Sequence, residues 1–424
     1  MPSTAVEQTD AKPYQQRILD SRLDDLLDQL SGLMIIGPRA CGKTTTAERR
    51  AATTIRLDRP ASAAAFEADA DAALRELDEP VLLDEWQEVP GVFGAARREI
   101  DRNPEPGRFL LTGSILAENE FGVHPGTGRI QRISMYPMTI REQRGNISGS
   151  TFFDRMSGNE GLATAPDPPD LRGYVDLALR SGFPIPALNL DDLAREAWLE
   201  SYLRDLLTHD VAQLDGSPTR KTDTQRLTGY FEAFALNSAG VTEHKHIFDT
   251  AGVTRDTGLA YERLLTDLML IEQIPAWSTN RLKRLVKQPK RYVVEPALIA
   301  AQLRMNTSGV MADGNVLGRL IDTLVMAQLR PELSVSRSRP KLYHLRTQSG
   351  RHEIDLVSEL SGGRVIAIEV KSGPAPKRSD ARHIEWLRDE IGDRFLAGLV
   401  FHTGPGAYNL AEGIKAVPIA ALWG

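Results

Sequence analysis

The 424-residue sequence predicts an α/β fold in three parts: a parallel sheet wrapped by helices, a mainly helical middle and a small α/β unit. Three observations predict it. Over residues 15–145, short apolar runs alternate with helical spacings, which is the order of a parallel sheet. From 171 to about 270, helical spacing dominates and strand-like runs are scarce. From Gly314 onward a helix is followed by short apolar runs that enclose a further helix.

In chain order, residues 15–31 place Ile18, Leu19, Leu23, Leu26, Leu27 and Leu30 at intervals of three and four, the stripe of an amphipathic helix. Residues 33–36 read as a buried strand, and the segment after Lys43 holds no breaker until about Ala52 and reads as a helix. Strands are expected at 54–58, 81–84 and 108–112, with helices at 61–77 and 92–100. Residues 146–170, rich in Gly, Ser and Pro, predict a linker or mobile loop and a domain boundary. Helices are expected at 174–179, 194–214 and 222–236. Helices at 244–250 and 256–269 then precede strand-like runs at 270–277 and 291–294, the order of a winged helix. A helix at 316–329 leads into strands at 341–346, 353–357, 365–370 and 397–401, with a helix at 381–391 between the last two. The expected units are 1–150, 171–310 and 311–424.

Hydrophobic residues at 41% and charged residues at 25% exclude a disordered or fibrous chain. A net charge of -6 leaves no global nucleic-acid footprint. Residues 281–291 nevertheless carry six cations and no acid, which reads either as a local nucleic-acid patch or as a solvated strand or hairpin face. The single cysteine, Cys41, excludes an internal disulfide and a cysteine zinc site and suits a reducing compartment. No run of about 18 apolar residues occurs and the first residues are mostly polar, so a cytoplasmic protein without membrane span or secretory signal is expected. His244 and His246, two apart on an expected helix, do not share a face and read as surface residues.

The strongest chemical signal is Gly37-Pro38-Arg39-Ala40-Cys41-Gly42-Lys43-Thr44, followed by Thr45, between a strand and a helix start. A triphosphate needs inward-pointing N–H groups, a helix N-terminus, a cation and a hydroxyl for the metal. Gly37 and Gly42 permit the turns, Lys43 reaches the β- and γ-phosphates, and Thr44 binds Mg²⁺, so a nucleoside triphosphate and Mg²⁺ are the expected ligands. The P-loop NTPase fold follows. The strand at 81–84 ends in Asp84-Glu85, where Asp84 can hold Mg²⁺ through water and Glu85 can polarise the attacking water. Thr112, at the end of the neighbouring strand and followed by Gly113-Ser114, can sense the γ-phosphate. Arg129, in a stretch rich in Gly and Arg, is the expected cation over the transferring phosphoryl group, in its own subunit or in a neighbour's.

These residues, with Leu83-Asp84-Glu85-Trp86-Gln87, Leu111-Thr112-Gly113-Ser114, Gly128-Arg129, Tyr136-Pro137-Met138-Thr139 and Ser181-Gly182-Phe183-Pro184, resemble a family of prokaryotic AAA-type ATPases. In that family the P-loop module is joined to a carboxy-terminal domain with a restriction-endonuclease-like core. Residues 198–205, Pro289-Lys290-Arg291-Tyr292, residues 318–329, Glu353-Ile354-Asp355 and Glu369-Val370-Lys371 extend the resemblance over nearly the whole chain. It implies ATP binding and hydrolysis, a winged-helix insert and a nuclease-like last domain; the alternative is a nucleotide-dependent switch or interaction module whose last domain binds a protein or nucleic acid without cutting. DNA or RNA, a protein partner and a homo-oligomer are the partners left open.

Period two puts Glu369 and Lys371 on one strand face, and the Ser361-Gly362-Gly363 turn lets Asp355 sit beside Glu369. Two carboxylates can then hold Mg²⁺ while Lys371 neutralises a scissile phosphate. The family often has Glu on the preceding helix where this chain has Asp322, a shorter side chain that puts the catalytic reading in doubt.

Overall fold

The computed structural model describes residues 13–113, 128–147, 149–158, 160–163, 165–210, 221–280, 288–347 and 350–424. Its first sheet contains β1 (Gly32–Ile36), β2 (Thr53–Arg56), β3 (Val81–Asp84), β4 (Phe109–Gly113) and β5 (Ile130–Ser134) in the order β2-β3-β4-β1-β5, every neighbour parallel. A parallel sheet is covered on both faces, so its strands are short continuous apolar runs. Thus Leu33 and Ile35 face one core while Met34 faces the other, with Phe66, Leu74, Val92 and Phe93 of the helices Pro60–Leu74 and Gly91–Arg102.

Three expectations change here. The amphipathic helix is confined to Asp20–Leu27. β5 falls where a Gly- and Arg-rich stretch was expected; of its five residues only Ile130 and Ile133 are buried, as suits an edge strand. The segment taken for a linker holds the helix Phe152–Ser157, whose Phe152 and Phe153 are fully buried, Phe152 lying 6.1 Å from the Phe401 ring. That aromatic pair outweighs the turn-forming composition around it.

The middle is helical at Leu171–Arg180, Asp192–Asp205 and Lys221–Ala235. Helices His244–Ala251 and Arg255–Asp267 follow, then an antiparallel pair, β6 (Ile271–Ile274) and β7 (Lys290–Val293). Residues 281–287 of the basic run lie outside the described residues, as do 211–214 of the expected 194–214 helix. Lys290 and Arg291 are buried and paired with acids, so these two cations do not form a solvated face. His244 is likewise no plain surface residue, because its Nδ1 lies 2.9 Å from the buried Glu262 carboxylate.

The second large sheet contains β8 (Lys341–Arg346), β9 (Glu353–Glu359), β10 (Val365–Val370), β11 (Phe395–His402), β12 (Tyr408–Ala411) and β13 (Ile414–Pro418) in the order β12-β13-β11-β10-β9-β8. β10, β11 and β13 run parallel, and the helix Arg382–Ile391 makes the crossover between the first two. One apolar core runs from Leu19 through Tyr174, Phe231 and Leu324 to Trp423, joining all these parts.

Two buried carboxyls sit at the joints. Glu295 caps the helix Pro296–Leu303 and accepts from the Gly182 N–H at 3.1 Å, while Glu332 accepts from the Phe152 N–H at 2.6 Å and faces Arg141. Burial pushes each up to about 7. A carboxyl raised on folding keeps its proton longer in the folded state, so its stabilising effect is full below the unfolded value near 4.5 and is lost as pH rises to 7. The whole window is worth on the order of 3 kcal/mol per carboxyl. Chemical denaturation at pH 5.5 and pH 8 is expected to show greater stability at the lower pH, and Glu295→Gln and Glu332→Gln each to flatten that difference. An unchanged slope in both variants rejects the assignment.

Candidate nucleotide site and a second carboxylate cluster

β1 ends at Ile36 and the chain turns through Gly37–Gly42 into the helix Lys43–Glu48. Gly42 has φ 101° and Ala40 φ 59°, both left-handed. A Cβ on Gly37 would lie 2.2 Å from the Met135 carbonyl oxygen, so the loop must shift to accept any side chain there. Such overpacking costs about 1–3 kcal/mol. Gly37→Ala is therefore expected to weaken ATP binding about 10- to 100-fold, read by fluorescent-nucleotide titration; wild-type affinity would show that the loop does not bind the nucleotide.

Pro38, Cys41 and Lys43 are buried, whereas Arg39, Ala40 and Thr45 are exposed. The Lys43 ammonium donates to the Gly37 and Pro38 carbonyls at 3.1 and 3.0 Å, and Cys41 Sγ points at Met135 O at 3.6 Å. The β3–β4 register pairs Leu83 with Leu111, bringing the next residues, Asp84 and Thr112, side by side. Thr44 Oγ1 donates to Asp84 Oδ1 at 2.7 Å, and the Thr112 hydroxyl donates to the same oxygen. A hydroxyl and a carboxylate thus converge at the carboxyl end of the sheet, a hard-oxygen donor set that fits Mg²⁺.

Glu85 follows with φ 51°, a left-handed conformation that non-glycine residues adopt at a cost, and its carboxylate accepts from the Gln87 amide. Gly113 packs on this turn so closely that a Cβ would lie 2.3 Å from Gln87 Oε1. Ser114 lies outside the described residues.

For a role in its own subunit, Arg129 is a correction; a role at a neighbour's site stays an expectation. In the parallel register Gly32 pairs with Ile130 and Ile36 with Ser134, so Arg129 stands at the sheet end remote from the loop, where its Nε meets Asp101 at 2.9 Å. Following the sensor strand in sequence did not bring it to the sensor strand's end. Two other arginines lie close. Arg56 ends β2 in register with Asp84, its guanidinium 2.5 Å from Glu48. Arg17 underlies the loop, bonding Cys41 O at 2.8 Å, Tyr136 O at 2.6 Å and the buried Glu142 carboxylate at 2.9 Å. Neither had a legible signal, since the strand expected at 54–58 put Arg56 in its middle, whereas the observed strand ends there.

The C-terminal unit gathers its own cluster. The β9–β10 register pairs Leu356 with Ile368, which sets Asp355 beside Glu369. β9 also shifts register against β8 between Tyr343 and Leu345, a bulge at the level of Asp355 of the kind that re-aims side chains. Asp355 Oδ2 accepts from the Val370 N–H at 3.0 Å, and Lys371 Nζ lies 3.2 Å from Glu369 Oε2. Asp322, on the helix Gly314–Leu329, reaches the same cluster through Lys290. The Lys290 ammonium lies 2.7 Å from Asp322 Oδ2 and 2.9 Å from Asp355 Oδ1, and Tyr292 OH donates to Asp322 Oδ1 at 2.9 Å.

Burial lifts Asp322 to about 6 despite Lys290. Burial also opposes ionisation of Asp355, but Lys290, the Val370 N–H and Glu369 bring it down to about 2. Glu369 is held well above the usual carboxyl range by burial and by Asp355. The expected Mg²⁺ does not fit this cluster, since the Lys290 ammonium already bridges two of its carboxylates. Among the described residues, no group of three or more His, Cys, Asp or Glu is arranged to hold a metal.

Residues 31–143 match the family model of an AAA domain. The parallel sheet, the loop and this match define an AAA-type P-loop domain. Residues 171–309 and 317–422 match two domains of unknown function, DUF8612 and DUF4143. Uncharacterized proteins of Mycobacterium tuberculosis and Mycobacterium bovis are each 27% identical over 419 residues, covering 95% of this chain and 83% of the relative. A Walker-type ATPase of Pyrococcus abyssi superposes with a TM-score of 0.41 at 14% identity, covering 68% of this chain and 96% of that one. Among the described residues no helix is long and apolar enough to cross a membrane.

Proposed function

We propose that this chain binds ATP with Mg²⁺ and hydrolyses it, and that the nucleotide's state is passed to the C-terminal unit. The observation that carries the reading is the convergence of the Thr44 and Thr112 hydroxyls on one oxygen of Asp84. Backbone N–H groups of residues 37–45 cradle the phosphates, and Lys43 exchanges its two carbonyl partners for phosphate oxygens. Thr44 and Asp84 hold the Mg²⁺, which when bound neutralises charge on the phosphoryl oxygens. Glu85 orients and polarises the attacking water, and Thr112 senses the γ-phosphate through its shared bond to Asp84. Arg56, at the same end of the sheet, takes the role first expected of Arg129.

Transmission is supported by a chain of buried arginine contacts. Arg17 joins the loop to Tyr136; the Arg330 guanidinium lies 5.4 Å from the Tyr136 ring centre, 2.7 Å from Glu272 of β6 and 2.7 Å from Val294 O. β7 and the helix Gly314–Leu329 then lead to the C-terminal cluster. Phosphate release from Mg-ATP, alone and with DNA or RNA, tests the reading. Turnover dependent on Mg²⁺ is expected, and a wild-type chain that binds ATP without any turnover would leave a nucleotide switch in its place.

A further inference from the structure

We propose that Lys290 is a built-in cation standing where a nuclease-like centre would hold its divalent metal, so that the C-terminal carboxylate cluster is metal-independent and does not cleave nucleic acid. The geometry is that of a substituted ion. The Lys290 ammonium bridges one oxygen of Asp322, from a helix, and one oxygen of Asp355, from a strand, at 2.7 and 2.9 Å, joining the two elements whose carboxylates a metal would otherwise join. The lysine side chain is 3% exposed, so neither solvent nor an exchangeable ion shares the position.

The remaining valences around it are filled by the chain itself. Tyr292 donates to the second Asp322 oxygen, the Val370 N–H to the second Asp355 oxygen, and Lys371 pairs with Glu369. No carboxylate oxygen of Asp322 or Asp355 is left without a donor. Lys290 is not an accidental neighbour of this cluster either. It is the first residue of β7, which pairs with β6, and its ring contact with Tyr292 at 5.4 Å and the Asp322 bond of that tyrosine hold the strand against the helix. Removing a divalent ion normally leaves carboxylates repelling one another; here a tethered ammonium between the two weakens that repulsion.

A protein-borne cation cannot be exchanged, and an ammonium supplies no open coordination position for a water or a scissile phosphate, which is what metal-assisted hydrolysis requires. Lys371 remains partly exposed beside the cluster and is available to contact an anionic partner without cutting it.

The test is Mn²⁺ binding by electron paramagnetic resonance on the nucleotide-free full-length chain, scored only as the part that disappears with Asp355→Asn. Wild type is expected to show no such part. Lys290→Ala is expected to gain about one Mn²⁺ per chain, lost again in the Lys290→Ala, Asp355→Asn double variant, and to gain thermal stability on adding Mn²⁺ where wild type gains none. Wild-type Mn²⁺ binding that depends on Asp355 overturns the proposal. So does a folded Lys290→Ala chain that acquires no Mn²⁺. Where Lys290→Ala does not fold without metal, refolding with Mn²⁺ replaces the titration: recovery of folded chain supports the substitution and continued failure overturns it. Failure here leaves the ATPase reading intact, because Lys43 and Asp84 belong to a different site.

Discussion

Glu85→Gln is expected to lower ATP turnover by about 10²- to 10⁴-fold, the usual contribution of a positioned general base, while leaving nucleotide affinity within a fewfold of wild type. Glu85 follows the buried strand β3 in a left-handed turn braced by Gln87 and by the close approach of Gly113. The amide keeps the size and most hydrogen bonds of the carboxylate, so the turn should survive, but it cannot draw a proton from water. Lys43→Ala is the contrasting variant, expected to lose binding as well as turnover because the loop forfeits its cation. Phosphate release measured beside fluorescent-nucleotide titration separates the two. Full turnover in Glu85→Gln would remove this residue from the mechanism.

Arg17→Met should destabilise the protein by about 3–5 kcal/mol, the cost of breaking a buried ion pair and leaving one charge behind. Glu142 would keep its bonds to the Thr139 and Ile18 N–H groups at 2.6 and 2.8 Å but lose its only ion-pair partner among the described contacts. The Cys41 and Tyr136 carbonyls would lose their donors together, loosening the phosphate loop from the end of β5. Nucleotide affinity should therefore fall too, although Arg17 lies beneath the loop. Arg17→Lys should recover part of the stability but not all three bonds, since an ammonium cannot reproduce the planar fork. Urea denaturation checks it, and a loss under about 1 kcal/mol would mean that the pair contributes little beyond its desolvation cost.

The nucleotide site was legible because its parts are local. The loop is contiguous, and Asp84 and Thr112 each end an apolar run, so strand register alone brings them together. Arg129 was misplaced because chain order says nothing about which end of a parallel strand a residue occupies; only the pairing of Ile130 with Gly32 decides that. β5 was hidden because an edge strand needs few apolar residues. Phe152 and Phe153 were overlooked because Gly, Ser and Pro around them signal turns. Asp355, Glu369 and Lys371 were expected together and lie together. Lys290 was read by its charge among neighbouring cations, whereas its partners are 32 and 65 residues away and nothing in a local pattern announces them.

The continuous core has a consequence for how the protein is made. Ala420 N bonds Tyr174 OH across 246 residues, and Asn146 bonds Trp423 O across 277, so surfaces near the first sheet are closed by segments synthesised much later. At about 5–20 residues per second, translation needs on the order of 10–50 s to bridge the 246-residue gap, long compared with hydrophobic collapse. During that interval Tyr174, Phe152 and Phe153 have no native cover from the later strands. The nascent chain is therefore expected to engage chaperones after the nucleotide loop has emerged and to release them only when the second sheet has docked, so ribosome-bound intermediates stalled before residue 400 should remain protease-sensitive at residues 146–180.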